Sequence, residues 1–281
     1  MKLALAVDYG FDDQLIFGQQ LGADAVVVSL DEWRHDLLAG ARNRVQQTGL
    51  ALAGIRLPDA GPEDLDALPT IVTAAGAAGV NMLSCGLPPP RPSGSTEAEP
   101  DGRGGALVHH YGEADAADRG TPPVTIADAL ERFDPVAAAA GVQIAWRTGT
   151  PGAPYEADLL QLLEADRYPA MGLDVSLAGL AGTDYLPALE KMLVGGRLWL
   201  VEMSNLVGQH DQRDAFLDEG VIDIPRVLRL LHQGGYAGSL RAGPPPGMNE
   251  DSAWGHTGRS FDLGFLRAAL QVVENRPDRR A

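Results

Sequence analysis

A chain of 281 residues, 45% of them hydrophobic, carries enough apolar side chain for one large core, at a length where α/β barrels form a single domain. Its 38 acidic against 22 basic residues give a formal net charge of −16, which argues against binding a nucleic-acid backbone, where Lys and Arg must displace counterions. The single cysteine, Cys85, excludes an internal disulfide and CxxC-type zinc sites, and no run of about 18 apolar residues is present to span a membrane.

Met1 and Lys2 lead straight into an apolar segment with no h-region and no small-residue cleavage site, so the protein is expected to be soluble and cytoplasmic, without a membrane partner. The first half of the chain holds four near-continuous apolar runs, Lys2 to Asp8, Asp24 to Ser29, Leu50 to Arg56 and Val80 to Cys85. Runs of this kind suit strands buried on both faces. Between them, Asp12 to Leu21, Asp31 to Gln47 and Pro62 to Gly79 read as helices, the last opening with Pro62 and acidic first-turn residues. Cys85 closes the fourth run and is expected to be a core thiol.

A long interruption follows, Gly86 to Thr121, with a Pro-rich tract and then a Ser/Glu/Gly tract. Loops of this length in compact domains are functional covers or disordered, and its place after the fourth strand predicts a lid over the catalytic face of a barrel. The alternation resumes with strands at Val142 to Arg147, Met171 to Val175, Leu198 to Met203 and Gly238 to Arg241. Helices fit Glu156 to Ala165, Asp184 to Val194, Ile224 to Gln233 and Phe261 to Glu274. Eight strands alternating with helices predict a single (β/α)8 TIM barrel over residues 1–275, ahead of a doubly wound open sheet, with 276–281 a frayed tail.

Barrels place chemistry at the C-terminal ends of their strands. The polar residues there are Asp8 and Tyr9, Ser29, Arg56, Cys85, Arg147, Asp174 and Ser176, Glu202 with Ser204 and Asn205, and Arg241. Strand alternation that turns Glu202 inward also turns Leu200 and Ser204 inward, leaving Val201 and Met203 for the helices. Arg147, Asp174, Glu202 and Arg241 then converge, either as a site or as a structural ion network plugging the barrel mouth.

Three stretches carry a resemblance. "FLDEGVIDIPRVLRLLHQGGYAGSLR" up to Arg241, "WGHTGRSFDLGFLRAALQ" from Trp254 to Gln271 and "GRGGALVHHYG" from Gly102 to Gly112 resemble the mannonate dehydratases, in the wider group of xylose-isomerase-like barrels. The resemblance implies a TIM barrel with a pocket for a sugar acid. It also implies a metal centre, yet the positions that match its ligands are changed: the strand-five histidine reads Arg147, the strand-six cysteine Ser176, the strand-seven histidine Glu202 and the strand-eight aspartate Gly243, followed by Pro244 in place of a histidine. A cation needs several convergent N, O or S donors, and a guanidinium repels it.

The expected function is therefore a metal-independent, dehydratase-like lyase or isomerase of specialised metabolism, acting on a small polar carboxylate or carbonyl compound. Arg147 would hold the charge of an enolate, and Glu202 would act as base provided burial lifts its pKa. His109, His110, Tyr111 and His210 are the candidate acids; of the adjacent pair His109 and His110, extended backbone lets at most one face a site. Asp8, Tyr9, Asp174, Ser176, Ser204, Asn205, Arg241, Trp254 and His256 are candidate substrate-binding residues, while His35 and His232 read as surface residues. Two alternatives remain at this level: a non-catalytic ligand-binding or regulatory barrel, and a Mg²⁺ or Mn²⁺ site rebuilt from Asp174, Glu202 and His210 or Asp211. A small molecule is the expected partner, and barrels of this kin often pair as homodimers.

Overall fold

The computed structural model describes residues 1–10, 12–59, 64–86, 126–148, 167–180, 185–208, 213–243 and 253–275. Its strands are β1 (Lys2–Asp8), β2 (Ala25–Ser29), β3 (Ala51–Asp59), β4 (Met82–Gly86), β5 (Gln143–Thr148), β6 (Met171–Ser176), β7 (Leu198–Met203), β8 (Asn205–Val207), β9 (Arg213–Ala215) and β10 (Ser239–Ala242). Its helices are α1 (Asp12–Gln20), α2 (Leu37–Gln47), α3 (Asp64–Ala78), α4 (Ile126–Ala140), α5 (Leu177–Leu180), α6 (Tyr185–Val194), α7 (Ile224–Gln233) and α8 (Ala253–Val273).

Strands β1 to β7 pair in parallel in sequence order, and β10 closes the ring between β7 and β1, with Ala4 opposite Arg241 and Arg241 opposite Glu202. This is the (β/α)8 barrel anticipated from the alternation of apolar runs. Successive side chains in each strand point alternately to the helices and to the barrel interior. The interior layer is built of small or unbranched side chains, Ala4, Ala25, Val27, Ala145 and Leu200, with Ala53 and Met82 packed on it. The outward layer is bulkier: Trp146 of β5 is fully buried against Phe133 of α4, ring centroids 6.2 Å apart, and its indole N–H meets the Met171 sulfur at 3.2 Å. Cys85, outward on β4, is fully buried, as expected of a core thiol.

Helix α7 shows how local sequence sets the outer layer. Asp223 caps it by accepting from the Arg226 N–H at 3.0 Å, and Pro225 sits in the first turn, where its missing N–H costs nothing. Ile224, Val227, Leu228 and Leu231 form one buried stripe, each contributing about 1.5–3 kcal/mol of apolar burial.

Several boundaries differ from the sequence reading. Helix α2 begins at Leu37 rather than Asp31, because Asp36 is held by Arg34 within the preceding turn and apolar burial starts only at Leu38. Helix α8 begins at Ala253 rather than Phe261; the glycines and hydroxyl residues of its first turns hide a helix whose Arg259 and Asp262 are buried by tertiary packing. Helix α4 falls where no helix had been named, and the antiparallel hairpin β8–β9 replaces a plain loop after β7. Gly86 ends β4, paired with Arg147, while the rest of the 86–121 insertion, the helix at 156–165 and the 276–281 tail lie outside the described residues. Among the described residues no helix is long and apolar enough to cross a membrane.

Candidate functional site

Above the apolar interior layer, at the C-terminal ends of the strands, the inward positions turn polar. Ser84 of β4, Asp174 of β6, Glu202 of β7 and Arg241 of β10 meet there, with Arg56 of β3 and Arg147 of β5. The Arg241 Nη2 donates to Glu202 Oε2 at 2.5 Å and lies 3.9 Å from Asp174 Oδ1. Asp174 Oδ2 accepts from the Ser84 hydroxyl at 2.6 Å, and Arg56 Nη1 reaches Glu202 Oε2 at 4.0 Å. Arg147 Nη1 donates to the carbonyl oxygens of Leu57, at 2.9 Å, and Ser84, at 3.2 Å, which fixes its guanidinium across the β3–β4 side of the mouth. Behind Glu202, the Ser176 hydroxyl donates to Oε1 at 2.9 Å and contacts the Ser204 hydroxyl at 3.1 Å; that hydroxyl accepts from the Ala178 N–H, tying β7 to the start of α5.

Three guanidiniums thus face two carboxylates. Burial pushes the Arg56 pKa down, and repulsion from Arg241 and Arg147 adds to it despite the attraction of Glu202 and Asp174. Burial also opposes the charge of Arg241, but Glu202 and Asp174 outweigh it and hold that guanidinium above its ordinary value. Arg241 is only 3% exposed, and its Nη1 is buried with no hydrogen-bond partner. Such an orphan donor costs about 1–3 kcal/mol unless another group meets it. For Glu202 burial acts to raise the pKa, but Arg241, Arg56 and the Ser176 hydroxyl together overcome it, so its carboxyl titrates below the usual range. The condition set for Glu202 from the sequence, a pKa raised by burial, is thereby reversed: the charges packed beside it win over desolvation.

The other candidates sort by strand face and by occupancy. Asp8 shares the inward face of β1 with Ala4 and acts electrostatically on Arg259, a buried residue of α8. Tyr9 turns the other way: Arg44 of α2 stacks over its ring at 5.0 Å from the centroid, and its hydroxyl lies against Gly40. Tyr9 is therefore corrected from a substrate contact to a packing residue between β1 and α2. Asn205 is corrected as well. Its Nδ2 donates to the carbonyls of Leu217 and Ile222, and its Oδ1 accepts from the N–H groups of Leu206 and Ile222, leaving nothing for a ligand. His256 stacks on Phe17 of α1 with centroids 4.6 Å apart, so the α1–α8 seam holds its ring instead of the mouth. His35 and His232 are exposed, as expected. His109, His110, Tyr111, His210 and Asp211 lie outside the described residues, as does the side chain of Trp254.

The sequence reading missed three members of the mouth. Arg56 had been noted at a strand end but given no role, and inward alternation from Ala53 across the β3 bulge is too irregular to place it. Ser84 could have been found from its two-residue spacing to inward Met82. Asp214, on β9, has no sequence signal because the hairpin itself had none.

The donors do not fit a divalent cation. Among the described residues no three His, Cys, Asp or Glu side chains converge to hold one, and Asp174 and Glu202 are both engaged by Arg241. At Gly243, where the resemblance has an aspartate, a Cβ would come within 3.0 Å of the Ser204 Cβ, so the backbone there is packed too closely against β7 for a ligand side chain without a shift.

No family model matches the sequence, and no curated protein is similar to it at a significant level. Solved structures do match over nearly the whole chain. A mannonate dehydratase from Streptococcus suis serotype 2 superposes with a TM-score of 0.73 at 17% identity, covering 98% of this chain and 94% of its own. A xylose isomerase domain protein from Planctomyces limnophilus gives 0.71 at 13% identity, covering 98% and 99%, and a D-psicose 3-epimerase from Clostridium cellulolyticum H10 gives 0.57 at 11%, covering 98% and 97%. In fold, the chain is a xylose-isomerase-like TIM barrel, the architecture it shares with mannonate dehydratase.

Proposed function

We propose that the barrel mouth binds a small polyhydroxylated carboxylate and catalyses its elimination or isomerisation without a metal ion. The observation that carries this is the excess of guanidiniums, Arg56, Arg147 and Arg241 against Asp174 and Glu202, together with the orphan Arg241 Nη1, in a chain whose net charge is −16. A carboxylate oxygen would satisfy the orphan donor and neutralise the surplus charge. The names of the similar barrels, a dehydratase of mannonate and an epimerase of a ketose, support a substrate of the sugar-acid class.

Removing a proton from the carbon next to a carboxylate places negative charge on its oxygens. Guanidiniums fixed beforehand at those oxygens stabilise it without reorganising, the role assigned to Arg147, whose Nη1 is anchored by two backbone carbonyls. Glu202 is the base. In the empty mouth it is a weak one, but a bound carboxylate engages Arg241 and Arg56, loosens their hold on Glu202 and raises its basicity when the substrate arrives.

A second reading, a binding protein without turnover, draws on the engagement of both Glu202 oxygens, Oε1 by Ser176 and Oε2 by Arg241. One experiment separates them. The chain is incubated with D-mannonate in D₂O, binding is followed by calorimetry, and C2 deuteration and keto-acid formation by proton NMR. Exchange or keto acid in the presence of a chelator supports the enzyme; binding with neither supports the second reading; failure to bind any of a panel of aldonates refutes both.

A further inference from the structure

The residues after β7 form a rigid cap. Strand β8 pairs antiparallel with β9, Leu206 opposite Asp214, and the turn that follows is fastened twice. Asn205 makes four bonds to the backbone of Leu206, Leu217 and Ile222, with Gly220 packed so closely beneath its carboxamide that a side chain at that position would overlap it. From the other side, Asp262 of α8 accepts from the Leu217 N–H at 3.1 Å.

Cross-strand partners share a face, so Asp214 stands on the side opposite buried Ala215 and Asn205. It is exposed on the hairpin, whereas Glu202 lies deeper, its side chain 15% exposed, and the charge of Glu202 reaches Asp214 directly. Glu202 therefore occupies the floor of the mouth and Asp214 its rim. Arg213 beside it on β9 is exposed, and the guanidiniums of Arg241 and Arg56 are turned to Glu202.

Resting on the function proposed above, we propose that Asp214 is a further catalytic residue, the proton donor at the rim of the mouth, acting on a substrate held between it and Glu202. The balance is that of a dehydration. Glu202 takes the proton from C2, the C–H electron pair becomes the C2–C3 double bond, and the C3–O bond breaks as Asp214 gives its proton to the departing hydroxyl. Water leaves, the enol tautomerises to a 2-keto acid, and Glu202 returns its proton to solvent while Asp214 takes one up. No oxidant or reductant is needed. Burial and then the neighbouring Glu202 charge both hold the Asp214 carboxyl above its ordinary value, while Glu202 is held below its own, the separation an acid and base pair requires.

The test has two arms on the full chain. In the first, carboxyl ¹³C NMR follows the titration of Asp214, assigned with Asp214→Asn. In Glu202→Gln its midpoint should fall, and a midpoint that does not move overturns the proposal whatever the activity. In the second, Asp214→Asn is given D-mannonate in D₂O. Keto-acid release should drop by about 100-fold or more, with C2 exchange slowed far less, because only the leaving-group step loses its proton. Equal loss of both reduces Asp214 to a structural role, and unchanged release removes it from the reaction. A wild-type chain that neither exchanges nor releases keto acid from any aldonate sinks the proposed function itself, an outcome the first arm does not depend on.

Discussion

Replacing Arg241 by Met tests the electrostatic centre of the mouth most directly. Arg241 is 4% exposed by side chain and Glu202 15%, so the substitution leaves a carboxylate buried with Arg56 at 4.0 Å and the Ser176 hydroxyl as its remaining partners. Removing one member of a buried pair costs about 3–5 kcal/mol, most of it the desolvation of the abandoned charge. Glu202→Gln in the same background removes that charge, so the double variant should recover a large part of the loss, with a coupling of about 2–3 kcal/mol in a double-mutant cycle. Urea unfolding at pH 7 measures it. The pH dependence adds a second reading. The folded-state pKa of Glu202 lies below its unfolded value, so its contribution is present above the unfolded carboxylate range, about pH 4.3, and is lost as the pH falls through the folded value. In Arg241→Met the burial of Glu202 is less opposed, its pKa rises and this acid limb flattens. Additive single effects, or an acid limb unchanged in Arg241→Met, would show that Arg241 does not hold Glu202 ionised.

Arg147→Ala should lower turnover by the equivalent of about 2.7–4 kcal/mol of transition-state stabilisation, measured as kcat/KM on an aldonate, while thermal stability moves little by comparison. Asn205→Ala strands four backbone groups inside the β8–β9 cap and should cost roughly 4 kcal/mol at about 1 kcal/mol each; a loss below about 1 kcal/mol in chemical unfolding would mean the cap is not stapled there. Asp262, pushed up to about 6 by burial, is more readily protonated in the folded chain than in the unfolded one, so its contribution is complete at acid pH and is lost as the pH rises through about 6. Asp262→Asn keeps an acceptor for the Leu217 N–H and should remove a fall of roughly 2–3 kcal/mol between about pH 4 and 7, seen as a gain over wild type that appears only at neutral pH.

The barrel was legible in the chain because each strand is a short apolar run buried on both faces, and a closed parallel sheet is one of few ways to bury eight of them. Strand alternation also placed Arg147, Asp174, Glu202 and Arg241 on one inward ring. Alternation says nothing, however, about what a side chain meets once inward. Glu202 carried one sign of pKa shift when burial alone was weighed and the opposite sign when the guanidiniums of Arg241 and Arg56 stood beside it. Asn205 looked like a ligand contact from its place after β7, but its four hydrogen-bonding positions are consumed by a hairpin with no signature in the sequence. The pattern of apolar residues alone determined the architecture and the ring of strand ends. Tertiary structure decided the charge state of Glu202, the occupancy of Asn205 and the place of Asp214, because these depend on groups far apart in the chain whose distances only the closed barrel and its cap set.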